Sequence, residues 1–257
     1  MLIAQRLEKI KQILEEKKSV SIEELAEKLH ISKDTVRRDL IKLENKKVLK
    51  RTHGGAVLAN KEAEIFDYVQ RSAKYYPVKQ KIAKKVRQVI QDDASIIFDS
   101  STTVEAVIRQ LSDRKIHAIT NSLTHAQLLA SFEKTTISML PGTLHKEQLF
   151  LYGADTIDKL SQFRADYTLL GIFALSKEGL FIHTEEEGLV KRKMIQQGNF
   201  VIAAADHTKL GTTGFFKVGD LSDLDLLITD RKPEEELLAK LTEANVEIMI
   251  TEEEKTK

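Results

Sequence analysis

The chain has 257 residues, 40 Lys+Arg against 39 Asp+Glu, and no cysteine. The missing cysteines exclude disulfides, thiolate nucleophiles and Cys-ligated zinc. No run of 18 apolar residues occurs and the N-terminus lacks an apolar signal segment, so neither membrane insertion nor export is expected and the protein is placed in the cytoplasm.

The near-neutral total hides a partition. Residues 1–60 carry a net charge of +5 and the remainder a net charge of −4. A basic head on a slightly acidic body is the distribution expected when one domain meets nucleic acid. At this length there is room for a small domain and a second one of about 180 residues with its own core.

Along residues 1–17, Ile3, Leu7, Ile10 and Leu14 form one apolar stripe, which predicts a first helix. Val20-Ser21 and Ile31-Ser32 then open two further helices with matched starts. In each, the serine can accept from free N–H groups of the first turn, and the apolar residue before it can staple onto one five positions later. Only His30 and Ile31 separate Leu29 from the second serine, the spacing of a helix-turn-helix.

The helix predicted over 33–45 turns Val36, Leu40 and Leu43 to one core and Asp34, Thr35, Arg38 and Lys42 outward, with Arg37 on the flank. Short polar and bidentate side chains at its N-terminal end suit the DNA major groove. Arg38 is the candidate for guanine O6/N7, with Arg37 and Lys42 for phosphate oxygens. A solvated charged face explains the helix alone equally well. The segment after it, residues 48–58, reads as a hairpin around a Gly-Gly turn and decides for a winged helix-turn-helix. Ser32, Lys33, Thr35, Arg37, Arg38, Lys42, Arg51 and His53 are the expected DNA-binding residues, and 1–58 the DNA-binding domain.

Residues 59–77 are polar and aromatic without the Gly/Ser content of a loose tether, and are assigned to a linker that docks by its aromatics and has room for one helical segment. From Val78 to the end, helices and continuous apolar strands alternate. Strands are predicted at 94–98, 116–120, 136–140, 167–172, 200–205, 226–229 and 246–250. The fold class is therefore α/β, with a mainly parallel, Rossmann-like sheet covered on both faces.

Such sheets bind ligands beyond the carboxyl ends of their strands. Those ends carry Asp99-Ser100-Ser101-Thr102-Thr103, Asn121, Gly142, Gly171, and Asp206 with Lys209. Four hydroxyl residues at a helix start favour an anion, since one cap needs only one hydroxyl. Lys209 can neutralise a phosphate or pair with Asp206. Glu187 and Lys191, four apart on a helix, read by themselves as a surface pair. The seven histidines lack metal-ligand spacing, and neither a P-loop nor a G-x-G-x-x-G occurs, so no metal, nucleotide or other cofactor is expected.

Ser32 to Leu40 with its Arg37-Arg38-Asp39 run, followed by Lys50-Arg51-Thr52-His53-Gly54-Gly55-Ala56, resembles the DeoR family of bacterial transcriptional regulators. The similarity continues through Lys79 to Ala83, Asp99 to Thr103, Ile119 to Leu123, Gly171, Glu187, Lys191, Asp206 to Gly211 and Leu221 to Asp230. The resemblance implies a repressor of carbohydrate uptake or catabolic genes, acting as a homodimer or homotetramer. It implies an effector domain of the sugar-phosphate isomerase type that binds a phosphorylated sugar, with Glu187 and Lys191 joining the strand-end residues in the site.

The chain departs from the family pattern around that pocket. Ser101 stands for the usual glycine, Pro141 for the first residue of a usual Gly-Gly, and Ile172-Phe173-Ala174 for small and acidic residues. A Cβ at position 101 obstructs close backbone approach to a phosphate, leaving open an effector that is smaller, differently placed or absent. The missing acids also remove the carboxylate base that aldose–ketose isomerisation needs. A regulator is therefore expected rather than an isomerase with a DNA-binding head.

Overall fold

The computed structural model describes residues 3–17, 19–45, 49–52, 55–58 and 68–251. The chain divides into two compact units, Met1–Ile65 and Phe66–Lys257.

In the first unit the elements are α1 (Ile3–Lys17), β1 (Ser19–Ser21), α2 (Ile22–Leu29), α3 (Lys33–Asn45), β2 (Leu49–Thr52) and β3 (Gly55–Leu58). Ser21 caps α2 by accepting from Glu24 N at 3.0 Å, and α2 ends on His30 in the left-handed region (φ 51°). Ile10, Leu14, Val20, Leu25, Leu29, Val36, Leu40, Leu43, Leu49 and Ala56 share one buried cluster. The β3 strand pairs antiparallel with both β1 and β2. Gly55, expected to serve the hairpin turn, lies within β3 against β1. A Cβ there would meet the Val20 carbonyl oxygen at 2.1 Å, so glycine is what lets the third strand dock.

The second unit begins at Phe66, inside the segment assigned to a linker. Residues 68–77 form α4 (Tyr68–Ala73) and the start of α5 (Tyr76–Val89). Burial of Tyr68, whose hydroxyl donates to the Glu105 carboxylate, is what recruits them. There follow β4 (Ala94–Phe98), α6 (Thr102–Gln110), β5 (Ile116–Thr120), α7 (Leu123–Leu129), β6 (Thr135–Met139), β7 (Thr143–His145), β8 (Phe150–Tyr152) and α8 (Ala154–Leu160). The rest comprises β9 (Ala165–Gly171), β10 (Ala174–Ser176), β11 (Gly179–Ile182), α9 (Glu185–Gln197), β12 (Gly198–Ala205), β13 (Phe216–Gly219), β14 (Leu226–Thr229), α10 (Glu235–Glu243) and β15 (Glu247–Ile250).

Seven of these strands make one parallel sheet in the order β15-β14-β12-β9-β4-β5-β6. Alternate residues enter opposite cores. Ile96, Phe98, Ala118, Leu169, Ile202 and Ile228 pack with α5 and α6 residues such as Ile82 and Val107. Ile97, Ile119, Leu170, Val201, Ala203 and Leu227 pack with Leu160, Val190, Met194 and Leu241 on the other face. From β4 the chain runs outward through β5 and β6, then returns to place β9 on β4's other side. The crevice between the carboxyl ends of β4 and β9 is thus the topological switch point, where ligands of such sheets bind. The antiparallel pair β7-β8 and the small sheet β10-β11-β13 were not predicted.

Candidate functional site

In the first unit α3 carries most of the residues predicted to bind DNA. Ser32 Oγ accepts from Thr35 N at 3.2 Å and lies 2.9 Å from Thr35 Oγ1, so the predicted cap forms and Ser32 is committed to it. Lys33, Asp34, Arg37, Arg38 and Lys42 are exposed and Thr35 is half-buried. Lys33 pairs with Glu23 at 2.7 Å and Arg37 with Asp34 at 2.7 Å. Surface pairs of this kind contribute little and exchange readily for phosphate. Among the described residues, Arg38 makes no ion pair, whereas its neighbour Asp39 is buried and clamped by Arg6. The Arg37-Arg38-Asp39 run therefore has three roles: a surface pair, an unpaired guanidinium and a core anchor. Ile41, passed over in the sequence, is 42% exposed on the same helix. Arg51 lies in β2, and His53 falls outside the described residues.

In the second unit the switch point is occupied by the protein's own groups. The fully buried Asp99 accepts from Ser101 N (2.9 Å) with one oxygen and from Gly171 N (3.0 Å) with the other. Lys191 Nζ reaches that second oxygen as well and lies 3.3 Å from the Gly171 carbonyl. Glu187 stands 3.7 Å from the same ammonium. The surface-pair reading of Glu187 and Lys191 is overturned. Lys191 is 7% exposed, because Asp99 supplies the counter-charge that allows burial.

Ser101 completes this closure. Its Oγ accepts from Val104 N at 3.1 Å, capping α6, and its side chain fills the space above Gly171. A Cβ added to Gly171 would come within 1.8 Å of Ser101 Oγ. Beside Gly171, Phe173 and Lys191 only about 10 Å³ stays open, which is room for about one water.

The cations gather beside the crevice. Lys79 on α5 is 5% exposed and donates to Thr102 Oγ1 (2.9 Å) and to the Arg71 carbonyl. Among the described residues it has no carboxylate within ion-pair distance, and an unpaired buried charge is costly. Burial pushes its ammonium down to about 8; the Asp206 charge opposes this, while Arg71 and Lys209 add to it. Lys209 follows β12 and is held below its ordinary value, first by burial, with Asp206 opposing and Lys74 and Arg71 reinforcing. Its Nζ stands 5.9 Å from the Phe173 ring centre, and among the described residues it pairs with no acid. Of its two predicted roles, the pairing with Asp206 is not formed. Asp206 instead accepts from Thr208 N at 3.0 Å, capping a short 3₁₀ turn.

The remaining predicted residues divide. Ser100 and Thr103 are buried at the α6 N-terminus. Asn121 Nδ2 donates to the Leu151 carbonyl (2.8 Å), tying β5 to β8, and its buried Oδ1 has no partner. Gly142 lies against Thr156 and Tyr152 in the turn before β7. His183 packs against Phe173 with ring centres 4.9 Å apart and planes tilted by 45°, and burial depresses its pKa. His207 pairs with Asp230 at 2.7 Å.

These two units match known family models in the same order. Residues 6–62 match the DeoR-like helix-turn-helix domain, and residues 74–231 match the DeoR C terminal sensor domain. The chain belongs to the DeoR family. It is 40% identical to the HTH-type transcriptional repressor GlcR of Bacillus subtilis, over 98% of each chain. It is 30% identical to the Glycerol-3-phosphate regulon repressor of Escherichia coli, over 95% of this chain and 97% of that one. Among solved structures, ribose 5-phosphate isomerase A of Methanocaldococcus jannaschii aligns at 17% identity and a TM-score of 0.38, over 52% of this chain and 54% of that one.

Within this DeoR-family chain, Arg71 was missed because it lies in the supposed linker. Lys79 entered only through the resemblance, because a lysine on an amphipathic helix carries no mark of burial. The second unit also has a surface recess of about 310 Å³, lined by Arg192, Lys217, Gly219, Asp220 and Asp223. It lies away from the strand ends, and its charges are satisfied locally. Lys217 pairs with Asp220 at 2.6 Å and Arg192 donates to the Val218 carbonyl. No helix of the described residues is long and apolar enough to cross a membrane.

Proposed function

We propose that this DeoR-family regulator represses transcription by docking α3 in the major groove of an operator, and that a phosphorylated sugar or similar metabolite bound to its second unit alters that docking. Lys79 carries the second half of this reading. It is a buried ammonium with no carboxylate within ion-pair distance among the described residues, next to the Thr102 hydroxyl and the N-terminus of a nine-residue helix, where free N–H groups favour an anion. Lys209 and Arg71 add positive charge to the same place. The Glycerol-3-phosphate regulon repressor of Escherichia coli supports a phosphorylated metabolite as the controlling signal. The protein is proposed to work as a homodimer or homotetramer in the cytoplasm, placing two recognition helices on repeated half-sites.

Catalysis is not part of the proposal. Isomerisation needs a free carboxylate beside the substrate. Asp99 is engaged by Ser101, Gly171 and Lys191, and Ile172-Phe173-Ala174 follow β9 in place of acids.

Mobility shifts on the DNA upstream of the protein's own gene, with ribose 5-phosphate, glycerol 3-phosphate and inorganic phosphate, test both halves. A retarded band that one phosphate ester alters at low concentration is the expected result. Because Lys79 loses its charge near pH 8, the affinity for that ester should fall as the pH rises through 8. An operator complex indifferent to every phosphate would remove the sensing half.

A further inference from the structure

Resting on that reading, we infer that α4 is a plug on the anion site, displaced when the ligand binds, with Arg71 as its contact. The Arg71 carbonyl accepts from Lys79 Nζ and from Thr102 Oγ1 (3.4 Å). Those two groups are the donors an anion at the start of α6 would take. A main-chain carbonyl carries only partial negative charge, so a phosphate oxygen outbids it for an ammonium. Ligand and α4 therefore compete for one pair of donors.

The side chain of Arg71 is poised for the exchange. It donates to Gln148 Oε1, a neutral partner, while its buried Nε has none among the described residues. An anion arriving at Lys79 takes the carbonyl's place and leaves the side chain on a neutral amide alone. The other anchors of α4 are the buried Tyr68, whose hydroxyl donates to Glu105 and whose N–H donates to the Glu147 carbonyl (3.4 Å), and the Arg71–Gln148 bond. A six-residue helix has no stability apart from its docking. Once released it frays, lengthening the chain from about 9 Å towards about 20 Å. Towards the N-terminus the chain leads from α4 to the first unit, so an undocked α4 lengthens the connection between the two units.

Hydrogen exchange on the full chain tests this, with binding of ribose 5-phosphate, glycerol 3-phosphate and inorganic phosphate measured separately by calorimetry. With a bound probe, amides of 68–76 should exchange about tenfold faster, the worth of roughly one hydrogen bond, while those of β12 stay protected. A bound probe that slows exchange across 68–76, or leaves it unchanged, overturns the plug. If no probe binds, the sensing reading fails and Thr102→Val decides the plug alone. That variant keeps the β-branched shape but removes one donor. It should speed exchange of 68–76 and weaken binding to the DNA upstream of the protein's gene without any ligand, each about tenfold, with the β12 amides and the melting temperature little changed. Unchanged exchange of 68–76 in this variant refutes the inference.

Discussion

The Lys191 ammonium meets the Asp99 carboxylate at the point where β4 and β9 part. That contact ties three elements together, since Asp99 follows β4, Lys191 sits on α9, and both bond to the main chain of Gly171. Removing one partner leaves the other charged and buried, which costs about 3–5 kcal/mol. Lys191→Met should therefore lower stability by about that amount in urea melts, and Asp99→Asn combined with Lys191→Met should recover much of it. If the double variant is as unstable as the single one, the pair is not what holds the crevice.

Ser101 and Gly171 form a steric couple across the same crevice. Gly171→Ala brings a methyl against Ser101 Oγ, an overpacking expected to cost about 1–3 kcal/mol. Ser101→Gly alone forfeits a cap, and glycine at such a position costs only a few tenths of a kcal/mol. The double variant should melt close to the Ser101→Gly protein, because the space is then vacant. Additive losses in a thermal-melt cycle would show that the two side chains do not share it.

Where local chemistry decided the structure, the sequence was readable. The serines before α2 and α3 cap as their positions suggested. The seven parallel strands stood out because burial on both faces makes them continuous apolar runs. The three-residue strands β7, β8 and β10 have no period long enough to detect. Burial of Lys191 was hidden for another reason: its partner lies 92 residues away, and charge spacing on one helix cannot register a tertiary counter-ion. Arg71 escaped because α4 owes its place to Tyr68 and Lys79, not to an amphipathic pattern of its own.

At the DNA face, the unpaired Arg38 is the residue to remove. Arg38→Ala should weaken operator binding by about 1–3 kcal/mol and relax preference at one base pair. Arg37→Ala, which frees a residue already paired to Asp34, should weaken all sequences alike and lower the salt slope by about one. Base-preference profiles at two salt concentrations separate the two roles. Identical profiles for both variants would mean that α3 is docked differently.

His125 makes the second unit acid-sensitive. It is wholly buried; its Nε2 donates to the Ser101 carbonyl at 3.2 Å and its Nδ1 has no partner among the described residues. Burial holds the imidazole down at about 4, although the charges of Asp99 and Glu105 pull it upward. The unfolded chain takes up this proton near pH 6.5, and the folded one only near 4. Between those values the unfolded state binds more protons, so stability falls as the pH falls, by a total of about 3 kcal/mol. His125→Gln keeps a donor for the Ser101 carbonyl but cannot titrate. Urea melts from pH 7 to pH 4 should show a shallower loss in that variant than in the parent, after the carboxylates common to both are subtracted. Parallel curves would place the acid sensitivity elsewhere.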